Sequence, residues 1–393
     1  MLQVDADRFR TDFDSLAAIG ATPAGGVARP TFGDAHLEAR AWFLDCARAA
    51  GLETNVDAAG NHSAVLRSRV AGAPTLLLGS HLDSVPDGGR FDGALGVAAA
   101  LEAIDFTDEE GTLVGLLGSW AVAGALAPET LRAPRGGREA LLDGLARAGL
   151  AEERLSDARR DPGSLAAYLE LHIEQGPVLE REGVDIGVVT GIVGSRSFRL
   201  TFTGVSGHAG TTPMEARRDA GVAAAAFVVA VRDTVVRGYP GCVATVGSLA
   251  FEPGAFNVIP GRARLALEFR SLDAAQLDEL QEELLALARA QGVDVEVEPV
   301  GRWEATPLDT TVQRAIRGAA DSLGLSTREL ASGAGHDAQA LAAVTRSGML
   351  FVPSRRGISH APDEHTEWED CVNGANVLLG AALTLAHVPP NPK

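Results

Sequence analysis

The sequence predicts an α/β protein in which a smaller α+β domain is inserted into a larger, layered α/β domain with a mostly parallel sheet. In the first and last parts of the chain, helical segments such as "GDAHLEARAWFLDCARAAGL" alternate with apolar runs such as "PTLLLG", the order typical of a parallel sheet covered by helices. The middle part follows a strand–helix–strand–strand–helix–strand order, as ferredoxin-like domains do. We therefore predict a larger domain of residues 1–193 and 306–393 and an inserted domain of residues 194–305.

Each element is predicted from its own pattern of apolar residues. In the larger domain, strands are expected in "ETNVDAAGNHSAVLR", "PTLLLGS" and "GMLFVPS", and helices in "TVQRAIRGAADSLG" and the closing "CVNGANVLLGAALTLAHV". In the inserted domain, "SFRLTFTGV" alternates with the period of two that a strand with one exposed face shows, and "DAGVAAAAFVVAVRDTVV" has one apolar helical face. The strands "CVATVGSLAFE" and "RARLALEFRSLD", the helix "AAQLDELQEELLALARAQG" and the strand "VDVEVEPVGRW" complete the order.

The composition limits the kinds of partner. The 393 residues carry 34 lysines and arginines against 52 aspartates and glutamates, a formal charge of −18, which argues against nucleic acid or an anionic membrane because both bind basic surfaces. The three cysteines, Cys46, Cys242 and Cys371, are far apart and form no metal motif. No apolar stretch approaches the roughly 20 residues of a membrane span, and the charged N-terminus has no signal-peptide pattern. We expect a soluble, cytoplasmic protein.

Five of the nine histidines stand among glycines or acidic residues after apolar segments, in "GSHLD", "LHIEQG", "GHAGTTP", "GAGHDA" and "GISHAPDE". One such histidine is more often a surface residue or a hydrogen-bonded core residue than a ligand. Five in the same kind of context favour a shared site. The stretch "SHLDSVPDGGRFDGALGV" is therefore either a solvated loop or half of a metal site.

The metal site is the sharper of these interpretations. Zinc and manganese sites combine neutral imidazoles with carboxylates, and a site with two ions needs a carboxylate that bridges them. The segment "IDFTDEEG" adds acidic residues at the end of a predicted strand. The residues that would supply such a set are His81, Asp92, Glu110, His172 and His360.

Two further carboxylates are candidates beside that set. Asp83 follows His81 by two residues and is placed to orient its imidazole. Glu109 would not be needed as a ligand. A glutamate beside metal-bound water is suited to act as a general base. From spacing alone, a solvated acidic loop stays the alternative.

The chain resembles the dinuclear-metal aminoacylase and carboxypeptidase superfamily, and within it the hydantoinase/carbamoylase group. That group contains N-carbamoyl-L-amino-acid hydrolases, allantoate amidohydrolases and β-ureidopropionases. The resemblance is carried by "GSHLDSVPDGGRFDGALGV", "FTDEEG", "LHIEQGPVLE", "GHAGTTPM", "FNVIPGRARLALEFRSLD", "SGAGHDA" and "FVPSRRGISHAPDEHT". These motifs cover nearly the whole chain in the expected order, which makes them highly specific together.

The resemblance implies a cofactor of two divalent metal ions. Zinc is the first candidate, and the same ligands can also bind manganese, cobalt or nickel. Asp92 would bridge the ions, His81 and His172 would complete one of them, and Glu110 and His360 the other. Glu109 would be the base that takes a proton from the attacking water and passes it to the leaving nitrogen.

The resemblance also implies how a small-molecule substrate is held. His208, on the inserted domain, would reach across a two-fold homodimer, formed through that domain, to stabilise the oxyanion. Asn257 and Arg270 match residues that bind the substrate carboxylate, a task for which arginine is suited through bidentate hydrogen bonds. A turn residue at Asn257 and a surface ion pair at Arg270 are the alternatives. Gln175 and His336 are further candidates near the substrate.

One segment departs from the resemblance. Asp92 and Glu110 are eighteen positions apart, where the family has about twice as much chain. The helix would have to be "GALGVAAALEA" and the strand "IDFT", with no turn between them. Ten helical residues advance about 15 Å and four strand residues return about 13 Å, so closure is barely possible. About twenty residues are missing by comparison with the family.

The sequence therefore predicts an amidohydrolase that cleaves the linear C–N bond of a small ureido carboxylate, such as an N-carbamoyl-L-amino acid or allantoate. It would use metal-bound hydroxide and a glutamate base. The alternatives are an N-acyl amino-acid deacylase or peptidase of the same superfamily, and a catalytically impaired relative with the shortened segment.

Overall fold

The computed structural model describes residues 2–100, 103–108 and 113–386. The chain divides into two compact units. The first is formed by Met1–Thr190 and Leu308–Lys393, and the second by Gly191–Pro307. The predicted domain limits, 194 and 305, stay a prediction.

Among the described residues, helices and strands alternate in both units. The helices are α1 (Ala6–Ala18), α2 (Asp34–Ala49), α3 (Ala94–Ala99), α4 (Leu117–Ala123), α5 (Pro128–Arg132), α6 (Arg138–Arg147), α7 (Val178–Glu182), α8 (Ala220–Gly238), α9 (Ala274–Arg289), α10 (Thr310–Leu323), α11 (Asp337–Leu341) and α12 (Trp368–Leu385). The strands are β1 (Glu53–Val56), β2 (His62–Val65), β3 (Thr75–His81), β4 (Ala103–Phe106), β5 (Leu165–Ile173), β6 (Ile186–Ile192), β7 (Gly194–Thr203), β8 (Gly207–His208), β9 (Val243–Glu252), β10 (Val258–Ile259), β11 (Arg262–Ser271), β12 (Asp294–Trp303), β13 (Thr306–Pro307), β14 (Thr327–Ser332) and β15 (Ser347–Val352).

The first unit is built on one sheet with the strand order β1-β2-β4-β3-β5-β15-β6-β13, with β14 paired to β6. Its central strands β4, β3, β5 and β15 run parallel to one another, and antiparallel pairs lie on both sides of them. This mixed, mostly parallel centre confirms the predicted class. In such sheets, binding residues collect at the carboxyl ends of the parallel strands.

Strand β5 is enclosed along its whole length, since all nine of its residues are buried. A strand covered on both faces is expected to be apolar throughout, yet "LAAYLELHI" contains Glu170 and His172. Alternate residues of a strand share a face, so both polar side chains point to the same side as Tyr168. Polar side chains inside so apolar a strand indicate a site on that face.

The shortened segment closes with a smaller helix than the sequence predicts. The expected helix "GALGVAAALEA" was too long: α3 spans the six residues Ala94–Ala99, and β4 begins at Ala103. Strand β4 pairs with β3 in parallel from Leu78 to His81, and the helix must end early to leave chain for that pairing. Residues 101 and 102 lie outside the described part of the chain.

The second unit has the predicted strand–helix–strand–strand–helix–strand order and is confirmed as an inserted α+β unit. Its antiparallel sheet has the order β12-β7-β11-β9, and α8 and α9 cover one face. The core between helices and sheet is apolar, with fully buried Leu200, Phe227, Leu265, Leu280 and Leu284. The small β8–β10 pair joins His208 to Val258.

None of the described helices is both long enough and apolar enough to cross a bilayer.

We predict that Gly96→Ala destabilises the protein by about 1–3 kcal/mol, the usual cost of overpacking a close contact. A Cβ at Gly96 would lie 2.3 Å from the Leu171 carbonyl oxygen, where α3 packs on β5. The matched control is Gly318→Ala in α10, where no heavy atom lies within 4 Å of the added carbon. The control should be neutral or stabilising by about 0.4–1 kcal/mol. Urea denaturation measures both, and equal midpoints would contradict the packing of α3 described above.

Candidate functional site

A buried group of three side chains lies at the carboxyl ends of the parallel strands. His81 is the last residue of β3, His172 is the last but one of the neighbouring strand β5, and Asp92 lies in the loop between β3 and α3. Their exposed fractions are only 1%, 1% and 5%. One potential ligand atom from each lies within 4.8 Å of the others, so the three side chains are placed to share one ion.

Both imidazoles turn the same nitrogen toward Asp92. Nε2 of His172 lies 2.9 Å from Oδ1 of Asp92, and Nε2 of His81 lies 3.6 Å from the same oxygen. In each ring Nδ1 faces a main-chain carbonyl oxygen, that of Ile173 at 2.9 Å and that of Asp83 at 3.1 Å. Such carbonyls fix the tautomer with hydrogen on Nδ1 and direct the Nε2 lone pair at a metal.

Gly93 allows this close approach. Its φ of 65° is in the left-handed region, which favours glycine. A Cβ at this position would also lie 2.3 Å from the ring of His81. A glycine is therefore required where the chain turns from Asp92 into α3.

The second oxygen of Asp92 faces a different set of groups. Oδ2 accepts a hydrogen bond from Nε2 of Gln175 at 2.9 Å, and Oγ of Ser359 lies 3.2 Å from the same oxygen. Nε2 of His360 lies 3.2 Å from the same oxygen, and the His360 side chain is 49% exposed. One carboxylate thus stands between a buried pair of imidazoles and a third, half-exposed one.

The charges of Asp92 and His172 strongly affect the pKa of each other. Burial alone would raise the pKa of Asp92, but the charge of His172 and hydrogen bonds from the imidazoles outweigh it and hold that pKa well below its usual range. Burial alone would lower the pKa of His172, but its hydrogen bond to Asp92 and the charge of that carboxylate raise it. The position between these two residues therefore favours a positive charge. A metal ion bound there must displace a proton, so acid weakens binding.

Asp83, predicted to orient the imidazole of His81, lies beside that ring, and its main-chain carbonyl is nearer to the ring than its carboxylate. Oδ1 of Asp83 lies 3.6 Å from Nδ1 of His81. The hydroxyl of Thr31 contacts the carboxylates of both Asp83 and Asp108, at 2.9 Å each. Asp108 also accepts hydrogen bonds from the main-chain N–H groups of Leu113 and Gly115. Thr31 thereby links the residue behind the first histidine to the end of the β4 segment.

The predicted base Glu109 and the predicted ligand Glu110 lie outside the described residues. What the structure does describe is the strand that leads to them. Phe106, the last residue of β4, is in register with His81, the last residue of β3. The connection between Asp92 and Glu110, here called the short crossover, therefore still brings β4 to the same edge of the sheet as His81.

Three predicted substrate residues belong to the second unit. His208 and Asn257 lie together, because Ala209 N–H donates to the Asn257 carbonyl oxygen at 3.0 Å beside the β8–β10 pair. Both side chains are exposed. Arg270, near the end of β11, contacts Glu268, with Nε 2.9 Å and an Nη 2.7 Å from Oε1 of the glutamate.

The two remaining predicted residues join the buried group itself. Gln175 donates to Asp92, as described above, and its Oε1 is buried without a hydrogen-bond partner among the described residues. The ring of His336 lies 4.5 Å from that of His172, centroid to centroid. Burial and the charge of His172 hold the pKa of His336 well below its usual range, so this ring is neutral.

Sequence reasoning missed two buried carboxylates. Glu170 accepts hydrogen bonds from Ser80 Oγ at 3.3 Å and from Ala338 N–H at 3.1 Å. Glu364 accepts from the main chain of the Asp92 loop, and burial, followed by the charge of Asp92, raises its pKa. A signal existed for Glu170, which is a charged residue in a run that otherwise indicates a buried strand. Glu364 stands in the quoted motif "SHAPDEHT" without any spacing that sets it apart.

The fold and the buried His–Asp–His group define a class: an α/β protein with side chains that could hold a metal ion at the carboxyl ends of its parallel strands, and with an inserted α+β unit. Comparison with known proteins makes this specific, because residues 77–384 match Peptidase family M20/M25/M40. The chain belongs to this family and is a hydrolase.

Similarity to individual proteins extends over the whole chain. It is 37% identical to an N-carbamoyl-L-amino acid amidohydrolase of Geobacillus stearothermophilus, over 98% of this chain and 99% of the relative. It is 35% identical to a ureidoglycolate hydrolase of Arabidopsis thaliana, over 98% of this chain and 87% of the relative. A solved amidase of the hydantoinase/carbamoylase family from Burkholderia multivorans superposes with a TM-score of 0.89 at 36% identity, over 98% and 99% of the two chains.

The alignment with the Geobacillus relative spans 406 positions, more than the 393 residues present here, so the relative has residues that this chain lacks.

We predict that zinc raises the thermal midpoint of the wild-type protein and that His172→Asn abolishes most of this increase. A ligand that binds only the folded state stabilises it in proportion to the logarithm of its concentration over its Kd. The control is His62→Asn, which removes a histidine on β2 outside the buried group. It should keep the zinc-dependent increase. An increase of wild-type size in His172→Asn would show that zinc binds elsewhere.

Proposed function

We propose that this protein hydrolyses the linear C–N bond of a ureido group carried on the carbon next to a carboxylate. The observation that carries the proposal is the buried His81–Asp92–His172 group in a chain similar, over its whole length, to enzymes named for such substrates. N-Carbamoyl-L-amino acids and ureidoglycolate share this arrangement of ureido group and carboxylate. N-Carbamoyl-L-amino acids are the first candidate, and allantoate-like compounds belong to the same chemical class.

We propose two divalent ions, with zinc first and manganese, cobalt or nickel as alternatives. The different surroundings of the two oxygens of Asp92 support this number. Oδ1 faces His81 and His172, whereas Oδ2 faces His360. Imidazole and carboxylate together suit these metals. Glu110 is proposed to complete the second set on the strength of the sequence resemblance.

Bound ions would polarise the ureido carbonyl and lower the pKa of water. The residues of the chain then have separate tasks. Glu109 takes the proton from the attacking water and delivers it to the leaving nitrogen, so that the nitrogen leaves as a neutral amine or ammonia and not as an amide anion. His81, His172 and Asp92 are held in place by buried neighbours, so the site needs little rearrangement during reaction.

The remaining predicted residues are proposed to bind the substrate. His208 stabilises the oxyanion, and Asn257 and Arg270 hold the carboxylate. A substrate anion approaching a chain of net charge −18 needs such a local cation. Oε1 of Gln175 and Nδ1 of His336 are buried without partners among the described residues. Polar atoms left in that state cost about 1–3 kcal/mol, which hydrogen bonds to a bound ureido group would offset.

A homodimer through the second unit is supported by its surface. Val222, Val229 and Val236 repeat every seven residues along α8 and are 61%, 61% and 72% exposed. Ala225 and Ala226 continue the same face, which, apart from Asp233, forms an apolar stripe of the kind that packs against another helix.

Strand β9, over which α8 packs, also has exposed apolar side chains. Strand β9 forms an edge of its sheet, and α8 packs over β9. Val243, Leu249 and Phe251 on β9 are 60%, 38% and 43% exposed. An exposed, apolar edge strand is a template for pairing with another chain. Two copies related by a two-fold axis would join both β9 edges and both α8 stripes.

The location is proposed to be cytoplasmic. Cys46, Cys242 and Cys371 are all free thiols, which suits a reducing compartment.

We predict that the purified protein, supplied with zinc or manganese, releases ammonia from N-carbamoyl-L-amino acids and from ureidoglycolate or allantoate. It should leave N-acetyl amino acids and dipeptides intact. Glu109→Gln is the control for contaminating activity: it should lose ammonia release while keeping bound metal, because it removes the base and no proposed ligand. Hydrolysis of the acetyl compounds or dipeptides alone would favour a deacylase or peptidase. No hydrolysis by the metal-loaded protein would favour an impaired relative.

We predict a wild-type mass in solution of twice 40.7 kDa, and a monomer for Val229→Glu. The substitution places a charge in the middle of the α8 stripe, where dimerisation would bury it at a cost of several kcal/mol. The control is Val300→Glu on β12, the opposite edge of the same sheet, where the side chain is 56% exposed. It should stay dimeric. Light scattering after size exclusion measures both, and a dimeric Val229→Glu would exclude the stripe as the interface.

A further inference from the structure

A buried carboxylate outside the proposed ligand set joins the two loops that meet at Asp92. Glu364 is 4% exposed and lies between β15 and α12, four residues after His360. Its Oε1 accepts hydrogen bonds from the main-chain N–H groups of Phe91 at 2.9 Å and Asp92 at 3.0 Å. These contacts span 272 or more residues of sequence, so they tie together distant parts of the chain.

The other oxygen of the same carboxylate acts on the loop of His360. Oε2 of Glu364 accepts a hydrogen bond from Oγ of Ser359 at 2.9 Å. Ser359 is the neighbour of His360 in sequence, and its hydroxyl also lies 3.2 Å from Oδ2 of Asp92. The hydroxyl has one proton, and Glu364 gives that proton an acceptor other than Asp92.

The surroundings of Glu364 are built closely around its carboxyl group. A Cβ at Gly89 would lie 2.0 Å from Oε1 of Glu364. Any larger residue at position 89 would push the carboxylate away from the amides that it binds. Buried carboxylates that accept main-chain N–H bonds make stronger hydrogen bonds than neutral groups do, so this connection is rigid.

We propose that Glu364 is a positioning residue, which holds the loop of Asp92 against the loop of His360 in the geometry that metal binding needs. The inference rests on the proposed function, because it assumes that Asp92 and His360 are ligands. Among the hydrogen bonds of the described residues, none joins Glu364 to a proposed ligand atom. It acts through the backbone of Asp92 and through Ser359, and partners of this indirect kind typically change metal affinity about 10–100-fold.

The test compares zinc affinity with stability in four variants of the full chain. Glu364→Ala removes all three hydrogen bonds. Glu364→Gln keeps an oxygen that can accept from both amides, and Gly89→Ala displaces the carboxylate without removing it. The matched control is Asp309→Ala, since Oδ1 of Asp309 also accepts from two main-chain N–H groups, at 2.7 and 3.2 Å, at the start of α10.

Competition with a chelator gives the Kd for zinc, and heating gives the thermal midpoint of the metal-free protein. We expect Glu364→Ala and Gly89→Ala to weaken zinc binding by about 10-fold or more, with Glu364→Gln within about threefold of wild type. Asp309→Ala should lower the midpoint and leave zinc binding unchanged. If Glu364→Ala does not fold, Gly89→Ala against Asp309→Ala decides the question.

Two results would overturn the inference alone. In one, wild type binds zinc and both Glu364→Ala and Gly89→Ala bind it equally well. In the other, Asp309→Ala weakens zinc binding as much as they do, which would reduce Glu364 to general stability. A wild-type protein with no zinc affinity would overturn the proposed function together with this inference.

Discussion

The rest of the site depends on the buried contact between Asp92 and the imidazoles of His81 and His172. A carboxylate at 5% exposure is costly unless positive charge or hydrogen bonds accompany it. The neighbours of Asp92 supply both, because His172 lies 2.9 Å from Oδ1 and Gln175 lies 2.9 Å from Oδ2. The parallel strands β3 and β5 place the two histidines side by side, and Gly93 lets the Asp92 loop close over them. Fold and site are therefore consequences of the same strand order.

Much of this arrangement could be predicted from the sequence. The strand–helix alternation and the middle β-α-β-β-α-β pattern indicated both units, because buried strands and amphipathic helices have distinct periods. His81 and His172 could be grouped because residues at the ends of neighbouring parallel strands meet at one edge of the sheet. The length of α3 could not be predicted, since the register of β4 on β3 decides where the helix ends. Glu364 could not be found from spacing either, because its partners are main-chain amides 272 or more residues away.

The short crossover between Asp92 and Glu110 is the segment in which the sequence is predicted to depart from the family. A helix of six residues and a strand of four still bring the end of β4 beside His81. Asp108, two residues after the end of β4, is held by Thr31 and by main-chain amides further along the chain. The described part of the crossover thus keeps the connection between its strand and the first histidine. Glu109 and Glu110 follow at once in sequence, so the proposed activity depends on where that short connection delivers them.

The central claim is that His81, Asp92, His172 and His360, with Glu110, form a site for two metal ions. Elemental analysis of the folded, dialysed protein, prepared in the presence of zinc or manganese, tests it most directly. The account predicts close to two ions per chain, which would mean that both oxygens of Asp92 are used and that the short crossover still supplies its ligand. A value near zero from folded protein would contradict the claim and leave the buried histidines as the remnant of a metal site on an intact fold.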